Sequence, residues 1–173
     1  MVKIGVLGGT GGIGRIFVKL GLEAGHTMVV LARSPAKVEE VVPVKGTPLA
    51  DRLQVIEGDC TNAANVASTV EGCDVVVSMA GGPKMLEKTA ENLLAAKPKR
   101  FLFITSLGCG GSSGCIKFIL SLIVGFSQFA DVEAADAIVR AAQCPYVLVR
   151  PDGLADGNPR GKVKATEEGG VGM

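Results

Sequence analysis

The chain has 173 residues, 47% of them hydrophobic and only 4% aromatic, with a net charge of +1. That length suits one domain with a full core, and scattered basic residues near neutrality give no electrostatic case for nucleic acid. With so few aromatics the interior must be Val, Leu, Ile and Ala, a composition that suits buried parallel strands flanked by helices.

Val2 to Leu7 is a short apolar run rich in β-branched residues and reads as the first strand. Gly8-Gly9-Thr10-Gly11-Gly12-Ile13-Gly14-Arg15 follows at once. Ile13, Phe17, Leu20 and Ala24 then recur at helical spacing, with Gly25 as a stop. Strand, glycine turn and helix together make a phosphate cradle: glycines let the backbone approach a ligand, and amides at the helix start favour an anion. Gly8, Gly11 and Gly14 form G-x-x-G-x-x-G, a variant of the dinucleotide fingerprint; a plain glycine-rich turn is the alternative. Arg15 stands where a P-loop would carry its lysine, so a P-loop is disfavoured.

His26 to Ala32 is the second strand, and Pro35 opens a short helix through Val42. Pro43 to Asp51 reads as a loop, Leu53 to Glu57 as the third strand, and Asn62 to Glu71 as a polar-capped helix. Cys73 to Met79 is the fourth strand, stopped by Ala80-Gly81-Gly82-Pro83. Lys84 to Lys97 is a helix with Met85, Thr89, Leu93 and Ala96 on one face. Arg100 to Thr105 is the fifth strand, Asp131 to Ala142 a helix, and Tyr146 to Val149 the sixth strand, ending at Arg150-Pro151. This alternation predicts an α/β, doubly wound parallel sheet with strand order 3-2-1-4-5-6 over residues 1–155. Residues 156–173 read as an irregular tail.

Ligands of such sheets sit at the carboxyl ends of the strands. The candidate cofactor set is therefore Gly8, Thr10, Gly11, Gly12, Ile13, Gly14 and Arg15 from the turn, with Cys60, Ala80, Gly81, Thr105 and Pro151 from later strand ends. An NAD site normally has an acid at the end of the second strand; here Ala32-Arg33-Ser34 stands there and no acid comes before Glu39. Arg33 offers a guanidinium to a 2′-phosphate with the Ser34 hydroxyl beside it, and Arg15 reaches toward the same group. NADP(H) is thus preferred over NAD(H), the alternative being an ordinary solvent-facing arginine. Asp59, ending the third strand, either contacts the adenine amino group or caps a helix.

Five cysteines (Cys60, Cys73, Cys109, Cys115, Cys144) form no C-x-x-C and no zinc spacing. They read as reduced thiols of an intracellular protein, with Cys73 and Cys144 as small core residues. A strand from residue 2 leaves no room for a signal or transit peptide. His26 is the sole histidine, which makes a transition-metal centre improbable. It also denies a base to Gly110-Gly111-Ser112-Ser113-Gly114, a match to the G-x-S-x-G hydrolase elbow. Residues 115–129 are the most apolar stretch, too short for a transmembrane helix and broken by Lys117 and Gly125. Core burial is the leading reading; cover by a protein partner or a membrane surface is the other.

The glycine turn, Ala32-Arg33-Ser34, Glu57-Gly58-Asp59, Ile104-Thr105-Ser106-Leu107-Gly108 and Tyr146-Val147-Leu148-Val149-Arg150-Pro151 together resemble an atypical short-chain dehydrogenase/reductase of the NmrA-like, NAD(P)-binding branch. The resemblance runs over nearly all of residues 2–160 and implies a Rossmann fold. It implies an oxidoreductase passing hydride to a small, flat flavin or quinone type of acceptor, with Ser106 beside the nicotinamide and substrate; bare strand-end caps are the alternative for Thr105 and Ser106. The branch also contains plastid NADP(H)-binding subunits that tether or assemble membrane complexes, so a non-catalytic role and a location in cytoplasm or plastid stroma both follow as expectations. Relatives that catalyse usually carry Tyr-x-x-x-Lys after strand five; the corresponding places here fall on Gln128 and Val132, which exchange no proton usefully. Tyr146, the only tyrosine, is expected to pack. Members of the branch usually continue beyond the point where this chain stops, so the tail looks truncated, or the substrate side is open to another chain.

Overall fold

The computed structural model describes residues 1–109, 121–122, 125–151, 154, 157 and 161. Six parallel strands form one sheet in the order β3-β2-β1-β4-β5-β6: β1 Lys3–Leu7, β2 Thr27–Ala32, β3 Leu53–Glu57, β4 Val75–Ser78, β5 Phe101–Ile104 and β6 Tyr146–Val149. This is the order read from the sequence, and it follows from right-handed crossovers: the chain steps outward twice from β1, then returns to β1's other side.

Helices α1 (Gly12–Glu23) and α2 (Pro35–Val41) cover one face. Val18, Leu22, Val38 and Val42 pack there on Ile4, Val6, Met28, Val30 and Val77. Helices α3 (Ala63–Val70), α4 (Leu86–Ala95) and α5 (Phe126–Arg140) cover the other, over Leu7, Val29, Leu31, Val76, Phe101 and Phe103. Most strands are thus buried on both sides, as their unbroken apolar runs require. Tyr146 stacks on Phe101 at 5.8 Å between ring centroids, and so packs as expected. Cys73 and Cys144 also belong to this core.

The buried face of α1 and the start of α5 differ from expectation. The apolar row Ile13, Phe17, Leu20 and Ala24 is not the buried face of α1; Gly14, Val18, Gly21 and Leu22 are, while Ile13, Ile16 and Leu20 are exposed. The small residues win because they allow close approach: a Cβ on Gly21 would sit 2.6 Å from the Met28 sulfur. A scan for bulky periodicity selects the opposite side. Helix α5 begins at Phe126 rather than Asp131, after Gly125 at φ +98°, so its first turn uses the end of the apolar stretch. Within that turn Phe129 is buried and Phe126 exposed. The Gly110–Gly114 motif, Cys115, most of the 115–129 stretch and most of the expected tail lie outside the described residues. Among the described residues no helix is long and apolar enough to cross a membrane.

Candidate functional site

Register places the site. Leu7 pairs with Leu31 and Ser78, Ala32 with Glu57, Ser78 with Phe103, and Ile104 with Val149. One edge of the sheet therefore carries, in spatial order, Gly58-Asp59, Arg33-Ser34, the glycine turn, Ala80-Gly81, Thr105-Ser106 and Arg150-Pro151. Every strand-end candidate lies along this line, although they come from segments far apart in the chain.

The glycines of the turn divide into two kinds. Gly8 has φ +85° and faces the chain after β4, where a Cβ would come 2.6 Å from the Ala80 nitrogen. A Cβ on Gly14 would run into the Gly8 carbonyl, so α1 lies directly on the turn. Both are demanded by the protein's own backbone. Gly11, by contrast, has φ −73° and only an ordinary contact at 3.5 Å, while Gly12 and Gly81 have nothing within 4 Å. Neither strain nor packing explains glycine at those places.

Above them stands the start of α1. Its N-cap, Gly11, makes no side-chain capping bond, and the first turn holds no acidic residue. The amides of Gly12, Ile13 and Gly14 lack intrahelical acceptors by helix geometry, so they offer donors and a positive dipole end. The Gly11 amide is used internally, donating to the Gly8 carbonyl at 3.2 Å and closing the turn. Thr10 lies in this turn, and Arg15 is exposed one residue beyond Gly14.

At the end of β2 the Arg33 side chain is 79% exposed, its Nε 4.0 Å from the Asp59 carboxylate. Ser34 is the N-cap of α2 but makes no side-chain capping bond. The helix-cap reading of Asp59 is overturned: Asn62 caps α3, accepting from the Ala64 and Asn65 amides at 2.9 and 3.2 Å. Asp59 instead accepts from the Thr61 amide at 2.8 Å and the Thr61 hydroxyl at 2.7 Å. Those bonds, with a smaller contribution from Arg33, hold its carboxyl below the usual range. Cys60 is buried beneath this corner, and burial pushes its thiol up to about 11.

On the far side, Thr105 is buried and its hydroxyl donates to Asp136 at 3.2 Å. Asp136, fully buried on α5, also accepts from Arg150 through Nε at 2.7 Å and through the terminal nitrogen at 2.9 Å, and from Arg140 at 3.1 Å. Ser106 is half-buried between these tied residues, and Pro151 stands beside it on the β6 side. Gln128 is half-buried on α5, and Val132 packs into the core.

Sequence reasoning passed over Asp136 and a second buried carboxylate on α5, Asp131. Asp131 caps α4 from 45 residues away, accepting from the amides of Met85 at 3.1 Å, Leu86 at 3.0 Å and Glu87 at 3.1 Å. Acids in the interior of a helix rich in alanine were the available signal; their partners lie on other elements and leave no local pattern. Among the described residues no cluster of three or more His, Cys, Asp or Glu side chains is placed to hold a metal ion.

Comparison with known proteins gives the family and the fold. The family described as NAD(P)H-binding matches residues 8–172. The isoflavone reductase homolog A622 of Nicotiana tabacum is 29% identical over 149 residues, 86% of this chain and 42% of that protein. The chain spans less than half the length of the curated relatives it first matches. Among solved structures, the anaerobillin reductase ChuY from Escherichia coli O157:H7 superposes with a TM-score of 0.74 at 23% identity, over 98% of this chain and 83% of that one. A Rossmann-fold NAD(P)-binding family protein from Shigella flexneri gives 0.69 at 25% identity, over 92% and 71%.

Proposed function

The chain belongs to the NAD(P)H-binding family, and from that premise we propose an NADPH-dependent reductase acting on a small, flat acceptor of flavin, quinone or tetrapyrrole-like type. The observation that carries the reading is the open space over Gly12 and Gly81, glycines that the protein's own packing does not require. The amides of Gly12 to Gly14 bind the pyrophosphate; Arg33 and Ser34 hold the 2′-phosphate, and Asp59 faces the adenine side. The cofactor, when bound, supplies a hydride. Ser106 orients the acceptor at the far end of the edge. Gln128 and Val132 offer no general acid, so the acceptor is one whose reduced form takes its proton from water. The reductase fold shared with ChuY favours the same class.

A second reading is favoured by one specific observation. Ile13, Ile16 and Leu20 form an exposed apolar row on α1, and Leu122 and Phe126 are exposed in the 115–129 stretch. A non-catalytic NADP(H)-binding subunit that uses such surfaces for a partner has the same cofactor site and no acceptor.

Titration of the purified chain with NADPH and NADH, beside Arg33→Ala, tests the cofactor half. NADPH is expected to bind at least ten-fold tighter than NADH, and Arg33→Ala to abolish the difference. A panel of flavins, quinones and biliverdin tests the acceptor half: turnover supports the reductase, while NADPH binding without turnover selects the subunit.

A further inference from the structure

The buried Asp136 cluster ties together two strand ends that the sheet alone would leave loose. Beyond β5 the ladder continues through the Thr105 amide to the Val149 carbonyl at 2.9 Å and the Leu107 amide to the Pro151 carbonyl at 3.1 Å. Ser106 lies between these two bonds, and its own carbonyl accepts from the Cys109 amide at 3.4 Å. Backbone bonds at a strand terminus face water on the ligand side and open easily. Here a side-chain lock stands behind them. One carboxylate, wholly removed from solvent, accepts from the Thr105 hydroxyl on the β5 side and takes both ends of the Arg150 fork on the β6 side. Arg140, one turn along α5, binds the same carboxylate. A bidentate arginine fixes orientation as well as distance, and burial makes each of these bonds costly to break.

Resting on the reductase reading above, we propose that Asp136 is a positioning residue for the acceptor: through Thr105 and Arg150 it holds the Ser106 peptide in the geometry that orients the substrate. It touches neither substrate nor cofactor. The glycine turn and Arg33, which hold the cofactor's phosphates, stand on strands that Asp136 does not contact, and the Thr105 hydroxyl is turned to Asp136, so the lock bears far more on the acceptor than on cofactor affinity. A group fixed before the substrate arrives spares the ordering cost at binding, which is why the effect falls on the acceptor.

Thr105→Val removes one bond of the lock with little change of shape, and Thr105→Ser keeps the hydroxyl. Asp136→Asn takes away the charge. The full chain and these variants are assayed for NADPH affinity by fluorescence titration, for thermal midpoint, and for kcat and KM with NADPH and FMN. Thr105→Val is expected to lower kcat/KM for FMN about ten-fold, through KM for FMN, and to weaken NADPH binding by a clearly smaller factor. Thr105→Ser is expected to restore the parent value. Asp136→Asn is expected to follow Thr105→Val with a larger loss; where it fails to fold, the threonine pair decides. An active parent chain whose Thr105→Val variant is kinetically silent, or loses NADPH and FMN affinity alike, overturns the positioning role and leaves the reductase standing. A parent chain that binds NADPH yet leaves FMN, a quinone and biliverdin oxidised overturns the acceptor reading, and the positioning role with it.

Discussion

At the scale of single residues the glycine turn makes opposite demands at neighbouring positions. Gly14 is set by the backbone it touches and Gly12 by the space in front of it. Gly14→Ala is therefore expected to cost folding stability, on the order of 2 kcal/mol or more, because a rigid carbonyl has nowhere to move. Gly12→Ala is expected to leave urea unfolding unchanged or slightly improved, since alanine is the better helix former, while weakening NADPH binding at least ten-fold. A Gly12→Ala protein that binds NADPH like the parent would remove the cradle argument. The cysteines give a second test at this scale. Burial pushes the thiols of both Cys60 and Cys109 up to about 11, so little thiolate exists near neutrality. Peptide mapping after iodoacetamide at pH 8 is expected to find both unmodified in the native protein and fully labelled in urea. The sign for stability follows: these thiols ionise more readily when unfolded, so their contribution is intact below about pH 9 and is lost as pH rises toward about 11. Arg33 and the glycines were legible in the sequence because their signal is local, a residue type at a fixed distance from a strand end. Asp136 was not, since its three partners come from β5, β6 and a later turn of its own helix.

Among the elements, α5 has the widest reach. Its Asp131 satisfies three amides at the start of α4, and its Asp136 the two strand ends beyond β5 and β6. One helix thereby reaches both the start of α4 and the strand ends around Ser106. Asp131→Ala leaves three amides of α4 without their acceptor and is expected to destabilise the chain by about 1–2 kcal/mol, read as a lower urea midpoint at constant m-value. An unchanged midpoint would mean that water replaces the carboxylate at no cost. Helix α1 teaches the converse. Its bulky row faces solvent because Gly14 and Gly21 are what allow contact with the turn and with Met28. Helical spacing located the helix correctly, but side-chain size pointed to the wrong face. The start of α5 was misplaced for a related reason: apolar residues lie on both sides of Gly125, and the positive φ there marks the boundary.

For the molecule as a whole, the proposed phosphate contacts and the proposed acceptor contacts fall on different elements: the first on the ends of β1 and β2 with the start of α1, the second on the ends of β5 and β6 with α5 behind them. Saturation with NADPH is expected to stabilise the native chain by about 2.7 kcal/mol at a hundred times its dissociation constant, visible as a rise in thermal midpoint that NADH does not match at equal concentration. Equal shifts with the two nucleotides would remove the role given to Arg33. What the sequence by itself determined was the α/β class, the strand order and the strand, glycine turn and helix of β1 and α1. These depend on short-range patterns, a β-branched run, a glycine cluster and an amphipathic helix repeated in alternation, and on a handedness rule that leaves one topology. What only the tertiary structure decided was which face of α1 is buried, which residue caps α4, and what stands behind Thr105 and Ser106. Each of those is a choice among partners far apart in the chain, made by close packing and by buried polar groups that must find an acceptor wherever the fold supplies one.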